Sequence, residues 1–305
     1  MKRIDLKTLT TEQSNRATSD LDTKSAIDIA RTINSQDKKV ARAVEQALPE
    51  IAQAIDLIAT SLKSGGRLIY VGAGTSGRIA ALDAAECPPT YGTDPRLVQF
   101  VIAGGAKALG AAVEANEDST ELGQREMAKK KPGKKDVVVG IAASGRTPFT
   151  IAAVKYARRK GSKTVAVTCN RNSPLATAAQ LAIVAEVGPE AIAGSTRMKA
   201  GTAQKMILNM LSSGAMTRLG YVYGNSMVNV HVKNEKLRER GITILQNAAD
   251  VSRQAAVSAL KAAADRVPIA LVMLKSNANR RNAERLLRAH HGNVRETIKA
   301  AGKKE

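Results

Sequence analysis

Apolar positions change their spacing along this chain, and the changes mark its elements. Between Asp37 and Leu62, the residues Val40, Val44, Leu48, Ile51, Ile55, Ile58 and Leu62 recur at helical spacing, which predicts one face of a long helix. Gly65-Gly66 ends it. Five short apolar runs follow: Arg67–Val71, Leu97–Ile102, Asp136–Ala142, Lys163–Thr168 and Leu181–Val187. They are nearly continuous rather than alternating, as expected of parallel strands covered on both faces. Helical stretches between them predict βαβ crossovers instead of hairpins. A long helical run then spans Thr196 to about Leu219, and a polar stretch covers 224–234. Gln254–Ala264, Val267–Leu274 and Asn279–Ala289 read as short helices.

The fold class expected from this pattern is α/β, a doubly wound five-stranded parallel sheet with added helical pieces. Residues 1–64 form an N-terminal arm and long helix, 65–220 the sheet domain, and 221–305 a linker with a small C-terminal helical subdomain. The polar segments Thr10–Asn15 and Asp20–Asp22 predict short helical pieces within the arm.

Composition narrows the class of function. The 305 residues suffice for a full core, and 44% of them are apolar. No apolar run approaches the ~20 residues that cross a bilayer. The start, Met1-Lys-Arg-Ile-Asp-Leu-Lys7, lacks a signal-peptide core. Two cysteines, Cys87 and Cys169, suit a reducing cytosol better than a disulfide framework. The expectation is a cytoplasmic chain. Its net charge of +20 invites a nucleic-acid reading. That reading needs a basic face with aromatic platforms, and this chain has no Trp and two Phe. A solvated basic surface is preferred, with a positive field that favours an anionic substrate.

The first strand runs into Gly72-Ala-Gly-Thr-Ser-Gly-Arg78, where loop amides and a helix N-terminus form an anion cradle. The glycine spacing fits the dinucleotide fingerprint, which also requires a carboxylate at the end of the second strand. That strand ends Ile102-Ala-Gly-Gly105, without one. A second loop, Ala142-Ala-Ser-Gly-Arg-Thr-Pro148, repeats the arrangement after the third strand, with Pro148 where a helix begins. Two hydroxyl-bearing loops at the switch point of one sheet suit a compact phosphorylated ligand.

These loops, together with Glu86-Cys-Pro-Pro-Thr90 and the run Gly188–Lys205, resemble the N-acetylmuramic acid 6-phosphate etherases of the sugar isomerase (SIS) domain superfamily. The resemblance extends from Thr11-Glu-Gln-Ser-Asn15 to the C-terminal helices; the Gly188–Lys205 run is also shared with glucokinase regulatory proteins. It implies the SIS fold, a homodimer, no cofactor or metal, and cleavage of a D-lactyl ether next to a phosphorylated amino sugar. It also implies that Glu86 and Glu117 are catalytic. Ser144, Gly145 and Thr147 would hold the phosphate, with Thr75 and Ser76 on the sugar. Ser195, Thr196 and Arg197 would meet the phosphate or the lactyl carboxylate. Lys199 and Lys205 are open between site and structure. His231 reads as a hydrogen-bonding histidine, and Cys87 as a packing residue.

Local sequence divides the two glutamates. Glu86 reads as the C-terminal end of the helix begun by Ser76, where the dipole disfavours a carboxylate and suits an acid. Glu117 precedes Asp118-Ser-Thr-Glu121, read as a capping box, near a helix start that favours the ionised base. The rivals are an SIS sugar-phosphate isomerase, a noncatalytic sugar-phosphate-binding regulator, and a DNA-binding SIS regulator. The short polar arm leaves no room for the helix-turn-helix domain of the last.

Overall fold

The computed structural model describes residues 9–230, 232 and 234–302. His231 therefore lies outside the described residues. The chain folds as two compact units. Residues up to Ala84, with Arg96–Ser212, form the first; Ala85–Pro95, with the residues from Ser213 onward, form the second.

The first unit is built on five parallel strands: β1 Leu68–Gly72, β2 Val98–Ile102, β3 Val137–Ile141, β4 Lys163–Thr168 and β5 Leu181–Val184. Their order is β2-β1-β3-β4-β5. β1 and β3 are wholly buried, which explains their unbroken apolar sequences. They pair from Leu68 opposite Val137 to Gly72 opposite Ile141, so their C-terminal ends lie side by side. One connection leaves β1 for β2 and the next returns to β3 on its other side. That reversal opens the ligand-binding crevice of an open α/β sheet.

The arm consists of single 3₁₀ turns at Thr10–Glu12, Arg16–Thr18 and Leu21–Thr23. The single long helix expected over Asp37–Leu62 is instead divided. Its apolar spacing spans α2 (Val40–Glu45) and α3 (Leu48–Lys63), and α1 (Ala26–Asp37) ends where it begins. Pro49 explains the second interruption: it lacks the amide a continuous helix requires, and it sits in the first turn of α3. The remaining helices of this unit include α5 (Lys107–Gly110), α6 (Thr120–Lys129), α7 (Pro148–Arg159) and α8 (Pro174–Ala178). Two others, α4 (Gly74–Tyr91) and α9 (Lys199–Arg218), run past the division between the units.

The second unit holds α10 (Glu235–Ala249), α11 (Arg253–Ala262), α12 (Val267–Ser276), α13 (Arg280–Ala289) and α14 (Val294–Ala301). Leu245, Leu260, Leu271 and Val294 are among the residues of its own buried apolar core. α10 lies in a stretch whose polar residues hid it in the sequence, and Asn234 caps it by accepting from the Leu237 amide. Among the described residues, no helix is long and apolar enough to cross a membrane.

Candidate active site

A cavity of about 320 Å³ opens over the C-terminal ends of β1 and β3. Thr75 and Ser76 line it from the start of α4, Ser144 and Thr147 from the loop before α7, and Thr196 from the approach to α9. Glu117 and Glu12 add their side chains to the same wall.

The β1 loop is shaped by close approach. A Cβ on Gly72 would stand 2.9 Å from the Gly77 amide nitrogen, so the strand end can lie against the first turn of α4. Gly74 has φ +52°, and a Cβ there would lie 2.9 Å from Glu117 Oε1. Glycine at this point thus lets the carboxylate settle against the cradle. The Ser76 hydroxyl donates to Gln204 Oε1 at 3.0 Å. Gln204 Nε2 is buried without a hydrogen-bond partner. Turning that amide over would let Nε2 donate to Ser76 Oγ and release the hydroxyl proton to a ligand. Gln204 belongs to the Gly188–Lys205 run, but nothing in its spacing announced this contact.

The β3 loop is held from below by the end of β4. The Ala143 carbonyl accepts from the Cys169 amide at 3.0 Å, from Asn170 Nδ2 at 2.9 Å and from Thr168 Oγ1 at 3.3 Å. Gly145, with φ +65°, is buried at the turn, where a Cβ would collide with Ser173 and come within 2.8 Å of Thr168 Oγ1. It shapes the cradle through its backbone and does not line the cavity. The Ser144 hydroxyl accepts from the Arg146 amide at 3.2 Å. Thr147 stands at the N-cap of α7 without a side-chain capping bond. The Glu117 carbonyl accepts from the Phe149 amide at 3.0 Å instead. The Thr147 hydroxyl is thus not spent on capping, and the Glu117 segment is fastened to the start of α7.

The capping box expected at Asp118–Glu121 is not formed. Ser119 alone caps α6, accepting from the Leu122 amide at 3.1 Å, and Glu121 bonds sideways to Thr120 Oγ1 at 2.9 Å. Glu121 sits one position too early in the helix to reach back to its cap.

Glu86 has different surroundings. α4 does not end before the prolines but carries Pro88 and Pro89 within it and continues to Tyr91. Glu86 stands five residues before that end, beyond the final turn in which a helix dipole acts, so the dipole argument for its role does not apply. Its side chain is exposed and does not line the cavity.

Ser195 and Arg197 also stay off the cavity wall, and Arg197 is exposed. The first amides of α9 are already engaged: Glu190 accepts from the Lys199 and Ala200 amides, each at 2.9 Å. Burial pushes the Glu190 carboxyl above its ordinary range, and the two amides oppose that shift. Lys199 is 1% exposed, its Nζ 3.5 Å from Gln36 Oε1, and burial lowers its pKa. It belongs to the packing beneath the site. Lys205 is exposed and off the cavity, though its charge acts on buried Asp83. Cys87 is buried, and burial pushes the Cys169 thiol up to about 12, which leaves it inert.

Among known proteins, residues 50–158 match the family described as the glucokinase regulatory protein N-terminal SIS domain, and residues 117–213 match the SIS domain family. A phosphoheptose isomerase from Francisella tularensis superposes with a TM-score of 0.49 at 20% identity, over 64% of this chain and 100% of that one. The N-acetylmuramic acid 6-phosphate etherase of Photobacterium profundum is 50% identical, over 99% of this chain and 100% of that protein. The etherase of Photorhabdus laumondii is 49% identical, over 98% of this chain and 99% of that protein. With identity at this level along nearly the whole of both chains, this chain belongs to the N-acetylmuramic acid 6-phosphate etherase family.

Proposed function

We propose that the chain cleaves the D-lactyl ether of N-acetylmuramic acid 6-phosphate, giving N-acetylglucosamine 6-phosphate and D-lactate in the recycling of cell-wall sugar. It is a cytoplasmic carbon–oxygen lyase. The observation that carries this reading is the meeting of Glu117 with Thr75, Ser76, Ser144, Thr147 and Thr196 around one cavity. The phosphate sits over the Ser144–Thr147 loop and the α7 N-terminus, where hydroxyls and a helix start favour an anion. The sugar then extends across the β1 loop toward Glu117.

In the open-chain sugar, the C1 aldehyde acidifies the C2 proton. Glu117 takes that proton, the electron pair forms the C2–C3 double bond, and the C3–oxygen bond breaks. The departing lactate oxygen receives a proton from an acid. Water then adds at C3 and a proton returns to C2, so one water is consumed overall. Pinning the Glu117 backbone to α7 fixes the base relative to the phosphate anchor, which is how binding energy becomes orientation.

Glu86 is the acid in this scheme, and it acts on the cavity of a second copy. It stands exposed on α4, one turn beyond Leu82, itself 53% exposed on the same face. A homodimer packed through this face covers Leu82 and delivers Glu86 to its partner's substrate. Turnover in ¹⁸O-labelled water tests the bond that breaks. The label is expected on the sugar C3 hydroxyl; label in the released lactate contradicts the reading.

A further inference from the structure

The steps above leave Glu12 without a task, although it lines the same cavity as Glu117, Ser144 and Thr196. We propose that Glu12 is a substrate-binding residue whose carboxylate accepts hydrogen bonds from the uncharged donors of the sugar. This rests on the etherase reading of the site.

Its position is built. Thr11 beside it is fully buried. The Thr10 amide and hydroxyl donate to Asn170 Oδ1 at 3.2 and 3.0 Å. The Asn170 amide group in turn donates to the Ala143 carbonyl at 2.9 Å, immediately before Ser144. One asparagine thus joins the arm to the phosphate loop, and Glu12 cannot shift without disturbing that joint. On its other side the chain makes room: at Gly194, with φ +77°, a Cβ would lie 3.2 Å from Glu12 Oε2.

Charge then limits what Glu12 can bind. The substrate carries a phosphate and a lactyl carboxylate, and a second carboxylate aimed at either would weaken binding. Arg78, the cation on the cavity wall among the described residues, is engaged elsewhere. Its Nε donates to the Ala108 carbonyl at 2.9 Å and its Nη2 to the Ala111 carbonyl at 2.7 Å. The partners left for Glu12 are the C2 amide N–H and the C4 and C5 hydroxyls of the open-chain sugar. Ionised acceptors make strong hydrogen bonds with such donors. A contact of this kind selects an N-acylated sugar over a bare phosphate and turns its C2–H toward the base.

The test uses the full chain and two ligands, N-acetylglucosamine 6-phosphate and inorganic phosphate, with calorimetric affinities and melting temperature read together. Glu12→Gln is expected to lose affinity for the sugar phosphate by about tenfold to a hundredfold. Its phosphate affinity and melting temperature should stay those of the unmodified chain, and Glu12→Asp should recover part of the loss. Unchanged sugar-phosphate affinity in both Glu12→Gln and Glu12→Ala overturns the proposal, as does an equal loss for the two ligands. An unmodified chain that binds N-acetylglucosamine 6-phosphate but releases no lactate from N-acetylmuramic acid 6-phosphate sinks the etherase reading while leaving Glu12 to be decided by these affinities. One that binds no sugar phosphate overturns both.

Discussion

Glu117 and Glu86 sit in two regions that solve the placement of a carboxylate differently. Glu117 is fixed within its own chain: its carbonyl takes the Phe149 amide, its carboxylate rests against Gly74, and its side chain lines the cavity. Glu86 is carried on a helix surface, exposed, and off that cavity wall. In the proposed scheme a single chain preorganises the base and the phosphate anchor, and a second copy supplies the acid. Preorganisation within one fold and delivery by symmetry respond to different perturbations, and those differences can be measured.

The largest expected effect comes from Glu117→Gln, which keeps shape and removes the base. Lactate release should fall by about a hundredfold to ten-thousandfold with the melting temperature unchanged. Retained turnover would remove Glu117 from its role. Next is complementation between inactive variants. Glu86→Gln and Glu117→Gln chains, mixed and allowed to exchange subunits, should regain about a quarter of wild-type activity, because half the dimers are mixed and each has one intact site. No recovery in demonstrably mixed dimers would place Glu86 with its own chain's cavity.

A smaller effect is expected from Gly74→Ala. The new methyl meets Glu117 Oε1 and forces a residue with a Cβ into positive φ, at a cost of about 1–3 kcal/mol in stability. Turnover should fall with phosphate affinity preserved, as read from kcat and from calorimetry. Leu82→Ala is the counterpart at the other region: it should weaken dimerisation in sedimentation without altering the cavity.

The smallest effect lies away from both carboxylates, in Asp136. Burial pushes its carboxyl up, but the Arg67 guanidinium at 2.7 Å and the Gly133 and Arg67 amides outweigh it and hold the pKa below the ordinary 3.8. The folded state therefore binds this proton less tightly than the unfolded chain. The stability it contributes is fully present above pH 3.8 and is lost as pH falls through the depressed value. Asp136→Asn should lower stability by about 1–3 kcal/mol at neutral pH and flatten the acid limb of a melting-temperature profile. Turnover per folded molecule should not change.

Much of this architecture was legible in the chain. Buried parallel strands write continuous apolar runs, so all five were found within a few residues of their ends. Positive-φ glycines and hydroxyls at two strand ends announced the loops, and their adjacency follows from the strand order. The divided helix after the arm was hidden because its apolar face continues across the breaks in register. The extension of α4 through Pro88-Pro89 was hidden because proline signals a stop unless neighbouring groups stabilise the turn. Glu12 and Gln204 could not be read at all. Each is placed by tertiary contact, the first beside the Thr10–Asn170 bond and the second from α9 to Ser76 on α4, and local periodicity carries no trace of such contacts.

One experiment tests the central claim most directly: turnover of N-acetylmuramic acid 6-phosphate in deuterated water, followed by NMR of the sugar product. Glu117 lies on a solvent-facing cavity, so the proton it removes exchanges before another returns to C2. The account predicts lactate release with deuterium at C2 of N-acetylglucosamine 6-phosphate. Lactate released with the original C2 proton in place would contradict it.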